Sequence, residues 1–154
     1  MKKILLLLAM LGFLYAEDGV KKVVFDLTTG DTKVFKQKVL SGISNQKSYY
    51  EGKLEELKVA VVIHGDAYKF FIKDLDNSPY KKDTALVKES QEIEQRLATL
   101  AKNNNVEFLM CESGMKHKNI DKTTLYNYVK ITPNATIGLI DKQSEGYVYI
   151  PIKD

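Results

Sequence analysis

Apolar residues in this chain fall alternately into short runs and helical stripes. Val20–Leu27, centred on Val23, Val24 and Phe25, predicts a strand. Thr28–Asp31 predicts a turn, with Asp31 or Thr32 capping a helix that runs to Tyr49 and stops at Gly52. Phe35, Val39, Leu40 and Ile43 recur along it at helical spacing. Leu57–His64 is almost continuously apolar and β-branched from Val59 to Ile63, the pattern of a parallel strand covered on both faces. His64-Gly65-Asp66 closes it, and Asp66 is placed to cap a helix carrying Tyr68, Phe70, Phe71, Ile72 and Leu75. A loop over 76–83 leads to a long helix, Thr84–Lys102, with Leu86, Ile93, Leu97 and Leu100 on its buried stripe.

The second half continues the alternation. Val106–Cys111 is a strand, followed by a shorter helical region across Met115–Ile120 and a capped turn over 121–125. Tyr128–Ile131 is a short strand stopped by Pro133. Asn134–Ser144 reads as a helix burying Ile137 and Ile140, and Tyr147–Ile150 as a last strand before Pro151. Five strands alternating with helices predict a three-layer α/β/α domain with a five-stranded, mainly parallel sheet and right-handed crossovers.

Met1-Lys2-Lys3, an apolar run from Ile4 to Leu14, and Ala16 before Glu17-Asp18 form a signal-peptide pattern, with cleavage expected after Ala16. The run is shorter than the ~20 residues of a membrane span. A signal peptide over 1–16 leaves one domain over 17–154, directed to the periplasm or secreted, with no stable membrane span after cleavage. Cleavage takes two lysines away and lowers the formal charge from +3 to +1. A nearly neutral chain of mixed charge argues against a nucleic-acid partner.

Cys111 is the only cysteine, so no internal disulfide forms and a structural zinc site lacks its ligands. It ends a buried strand and faces a helix start, where open α/β sheets place their chemistry and where unpaired N–H groups favour an anion. The alternative is a small buried hydrophobe. His64 ends the preceding strand and either orients a ligand or, as imidazolium, stabilises the thiolate on the same rim, or else caps its own turn. Gly65 and Gly114 serve turns or close backbone approach. Lys116 and Lys118 make the surroundings electropositive or simply face water, and His117 is expected exposed. Tyr147 and Tyr149, one pleat apart, project from one sheet face to pack a core or a subunit contact.

Val62-Ile63-His64-Gly65, then Asn104-Asn105-Val106-Glu107-Phe108-Leu109-Met110-Cys111 with Gly114 and Met115, then Ile131-Thr132-Pro133-Asn134-Ala135 and Gln143-x-x-Gly146-Tyr147-x-Tyr149-Ile150 recur in one order. In that combination the chain resembles the DsrE/DsrF-like family of small sulfur-relay proteins, in its exported single-domain branch. The resemblance implies a five-stranded parallel sheet and homotrimers or homohexamers. It implies that Cys111 carries sulfur as a persulfide, without metal or organic cofactor, receiving it from a donor protein or small sulfur compound. His64, Gly65, Gly114 and Lys116 are the associated binding candidates. The alternative is a non-enzymatic oligomeric binding or assembly protein of the same fold.

Overall fold

A computed structural model describes residues 20–154. The signal peptide expected over 1–16 lies outside them. Strand β1 (Val20–Leu27) pairs with β2 (Glu56–Ile63), β2 with β3 (Glu107–Cys111) and β3 with β4 (Val129–Thr132). The last strand, β5 (Val148–Ile152), returns to the free edge of β1. The sheet order is β4-β3-β2-β1-β5 and every pair is parallel, as the alternation of strands and helices predicts.

Handedness then decides the layers. The connections β1→β2→β3→β4 step in one direction and share one face of the sheet. The β4→β5 connection runs back across the whole sheet, so right-handedness sends it to the opposite face. The first face carries α1 (Thr32–Phe35), a π-helical segment (Lys36–Ser41), α2 (Gly42–Glu51), a 3₁₀ turn (Ala67–Phe71), α3 (Thr84–Lys102) and α4 (Glu112–His117). The second face carries α5 (Ala135–Ser144).

Residues alternate between the two faces along each strand. Val23, Phe25 and Leu27, with Val59, Val61, Ile63, Phe108 and Met110, join the main core under the first layer. Val24, Ala60 and Val62 form a second, thinner cluster with Leu109, Ala135, Leu139 and Tyr147. The continuous apolar run of β2 is thereby buried on both sides, as its composition predicts.

Asp31, Asp83 and Asn134 each accept a backbone N–H of the first helical turn, at 2.7, 3.0 and 2.9 Å. Caps of this kind contribute ~1 kcal/mol each. The helix expected over 32–49 is broken by the π segment, whose wider turn keeps Phe35, Val39, Leu40 and Ile43 buried together. The helix expected after Asp66 is only a 3₁₀ turn, and Asp66 caps nothing; its carboxylate pairs instead with Lys118 at 3.0 Å.

Two further expectations are corrected. Ile137 and Ile140 are 39% and 55% exposed, because α5 turns Ala135, Gly138 and Leu139 to the sheet. Gly138 lies close enough to Thr132 that a side chain there would meet Cγ2 at 3.1 Å. The last strand also continues through Pro151 to Ile152; β5 is an edge strand, where proline's missing N–H costs no ladder bond.

Candidate functional site

Connections leaving β3 and β4 diverge: α4 follows β3 on the first face, and α5 follows β4 on the second. Adjacent strands whose outgoing connections part in this way form a switch point, where open α/β sheets place ligands. Cys111 and Thr132 are paired across it. Just above, Ser113 N–H donates to the Pro133 carbonyl at 3.2 Å and draws the two loops together.

Cys111 ends β3 and is also the N-cap of α4, with extended φ −69° and ψ 110°. Gly114 N–H donates to its Sγ at 3.4 Å. The residue is 6% exposed and joins the upper end of the main core. Behind it, the Tyr68 hydroxyl donates to the Cys111 carbonyl at 3.0 Å. Burial, followed by its contact with Cys111, pushes the Tyr68 phenol well above its ordinary range.

Gly114 is required by this packing. A Cβ there would lie 1.9 Å from the Tyr68 hydroxyl oxygen. Gly65 is required by its backbone: φ is +65°, and a Cβ would meet the Thr28 carbonyl at 3.0 Å.

His64 continues the β1–β2 ladder, donating its N–H to the Leu27 carbonyl at 3.0 Å. Its ring Nε2 is 2.6 Å from Asp26 Oδ1, and the Tyr149 hydroxyl donates to Asp26 Oδ2 at 2.7 Å. The side chains of His64 and Asp26 are 30% and 16% exposed. The bond to Asp26 raises the pKa of the otherwise exposed Tyr149 phenol.

Among the candidates read from the sequence, His64, Gly65, Cys111 and Gly114 all lie at the carboxyl rim of the sheet. Lys116 makes no ion pair or hydrogen bond with the thiol. It pairs with Glu112 at 3.3 Å and lines a cleft of about 300 Å³ with Met115, Lys122 and Ile131, which Cys111 does not line. His117 is exposed, as expected.

Tyr68, Asp26 and Tyr149 were not singled out for the site by sequence reasoning. Asp26 carried a signal, being a carboxylate set among the apolar residues of a strand. Tyr149 lies on the predicted face, but its hydroxyl serves Asp26. Tyr68 reaches Cys111 across 43 positions, a contact that no local pattern announces. Among the described residues no group of three or more His, Cys, Asp or Glu side chains could hold a metal ion, and no helix is long and apolar enough to cross a membrane.

Known proteins bear on both fold and family. The fold is shared with the solved structure of MTH1491, a protein of unknown function from Methanobacterium thermoautotrophicum. The TM-score is 0.62 at 18% identity, covering 85% of this chain and 98% of that one. An uncharacterized protein of Aquifex aeolicus (strain VF5) is 28% identical over 158 aligned positions, which take in 98% of this chain. The chain spans only 64% of that relative's length. The DsrE/DsrF-like family model matches residues 22–152, which include all five strands apart from the first two residues of β1. With its five parallel strands and Cys111 at the end of the third, the chain belongs to the DsrE/DsrF-like family.

Proposed function

We propose that this protein is a sulfur carrier or transferase that takes a sulfane sulfur onto Cys111 as a persulfide. The observation that carries the reading is the placement of Cys111 Sγ at the switch point between β3 and β4, with Gly114 N–H directed at it at 3.4 Å. The thiolate is the attacking species, and a carrier that accepts one sulfur and hands it on needs no second cysteine. It also needs no metal or organic cofactor. With Cys111 only 6% exposed, the reading calls for a donor that presents its sulfane atom on a slim arm, a small persulfide or the persulfidated cysteine of a partner protein. The reading includes export, with the signal peptide removed after Ala16, and assembly into a homotrimer or homohexamer.

Mass spectrometry of the folded protein after incubation with glutathione persulfide tests the chemistry. The expected result is one added sulfur atom on the peptide containing Cys111. Unmodified Cys111 in folded protein refutes the proposal.

A second reading, an assembly protein without sulfur chemistry, is favoured by the same 6% exposure together with the exposed apolar side chains Ile140, Val148 and Ile150. Cys111→Ser with unchanged cellular function would favour it over the first.

A further inference from the structure

The rim holds a second constellation, built on β1, β5 and the end of β2. Asp26 lies in β1 among Val24, Phe25 and Leu27, yet its carboxylate is engaged on both oxygens. An ionised carboxylate can only accept hydrogen bonds. With Oδ2 accepting the Tyr149 hydroxyl, the 2.6 Å contact at Oδ1 is a donation from His64 Nε2–H. Whenever the ring is neutral, its proton is therefore on Nε2 and Nδ1 has a free lone pair. A carboxylate that fixes an imidazole in one tautomer, with the other nitrogen free to accept a proton, is the arrangement used to position a general base.

Register relates this pair to the thiol. Ile63 is paired with Met110, so His64 and Cys111 are the next residues on adjoining strands. Neighbouring strands are ~4.8 Å apart, so this register sets the backbones of His64 and Cys111 side by side at the rim. No hydrogen bond joins His64 to Cys111 directly, and catalytic contacts of this kind commonly close only when substrate is present.

We propose that Asp26, backed by Tyr149, is a positioning residue that holds His64 with Nδ1 as the proton-exchanging atom of the rim, serving a low-molecular-weight persulfide as it hands its sulfur to Cys111. The inference rests on the sulfur-carrier reading. In the transfer, the Cys111 thiol gives its proton to His64 Nδ1 and its sulfur attacks the terminal sulfur of R–S–SH. The new Sγ–S bond forms as the donor's S–S bond breaks. The departing thiolate R–S⁻ takes the proton back from the imidazolium. The sum is Cys–SH plus R–S–SH giving Cys–S–SH plus R–SH, with no external oxidant or reductant. The titratable and charged groups around His64 are Asp26 from β1, Tyr149 from β5 through Asp26, Cys111 at the end of β3, and the Asp66–Lys118 pair of the following loop and α4.

The test compares wild type, Asp26→Ala and Tyr149→Phe, the last a surface change that keeps the carboxylate. Nitrogen-15 NMR of the imidazole reads the tautomer. Wild type is expected protonated at Nε2, Asp26→Ala as a mixture of tautomers, and Tyr149→Phe between them. Persulfide transfer from glutathione persulfide is followed across pH, and alkylation of Cys111 by iodoacetamide at about pH 10, where a thiol ionises without the help of a base, serves as a control for access to the thiol. In Asp26→Ala, transfer at neutral pH is expected to fall about 10-fold with a flattened pH profile, less than the ~100-fold that a positioned base itself contributes. Alkylation is expected to stay unchanged. An unaltered tautomer in both variants, an unaltered transfer profile, or an equal fall in alkylation would each overturn the proposal. If wild-type Cys111 accepts no sulfur, the carrier reading fails and the proposed service to it fails with it, while an Nε2 tautomer lost in Asp26→Ala shows that the positioning itself survives.

Discussion

Gly114 carries the sharpest single-residue constraint on the rim. Its hydrogen faces the Tyr68 hydroxyl, which itself holds the Cys111 carbonyl. Gly114→Ala forces one of these groups to move and is expected to cost ~2 kcal/mol, as overpacking of a closed site does. Urea unfolding measures it. In a Tyr68→Phe background the penalty is expected to shrink without vanishing, because Tyr68 Cζ would still lie 2.8 Å from the added methyl. Tyr68→Phe alone leaves a buried carbonyl short of a donor and is expected to cost ~1–2 kcal/mol. At this scale the sequence exposed Cys111, His64 and the two glycines, because a cysteine or glycine at a strand end is conspicuous in itself. It did not expose Tyr68 or the bond between Asp26 and Tyr149, which are made by residues 43 and 123 positions from their partners.

Glu107 ties two strands of the sheet to the second layer. From the start of β3 its carboxylate reaches Lys130 of β4 and Lys142 of α5, each at 2.7 Å. Burial raises its pKa, but the two ammonium groups outweigh that and hold the carboxyl below its usual value of 4.5. A carboxyl depressed in the folded state contributes stability that is complete above its unfolded pKa and is lost as pH falls through the folded one. Glu107→Gln is therefore expected to cost ~1 kcal/mol at pH 7. The gap from wild type should narrow below about pH 4.5 and close in stronger acid, as chemical denaturation at a series of pH values would show. The same helix marks a limit of pattern reading. Ile137 and Ile140 share a helical face that looks buried, but small Ala135 and Gly138 bring α5 down on a different side. Periodicity reports that a helix has an apolar side; the neighbour's shape decides which side is covered.

Across the whole molecule, the five strands and their parallel pairing were legible because runs of strand length alternate with helical stripes. Their order was not, since the return of β5 to β1 depends on contacts more than a hundred residues apart. That return leaves Val148 64% exposed beside a cleft of about 490 Å³ lined also by Val23, Leu57 and Ile150. Val148→Lys is expected to shift the proposed homo-oligomer toward monomer in sedimentation velocity while changing monomer stability by less than ~0.5 kcal/mol. The topology also has a consequence in time. The outer edge of β1 finds its partner only in residues 148–152, so a nascent chain leaves the ribosome with its first strand still open on one side. Completion of the native sheet waits for residues 148–152, and until they are made one edge of β1 is open to pairing with another chain.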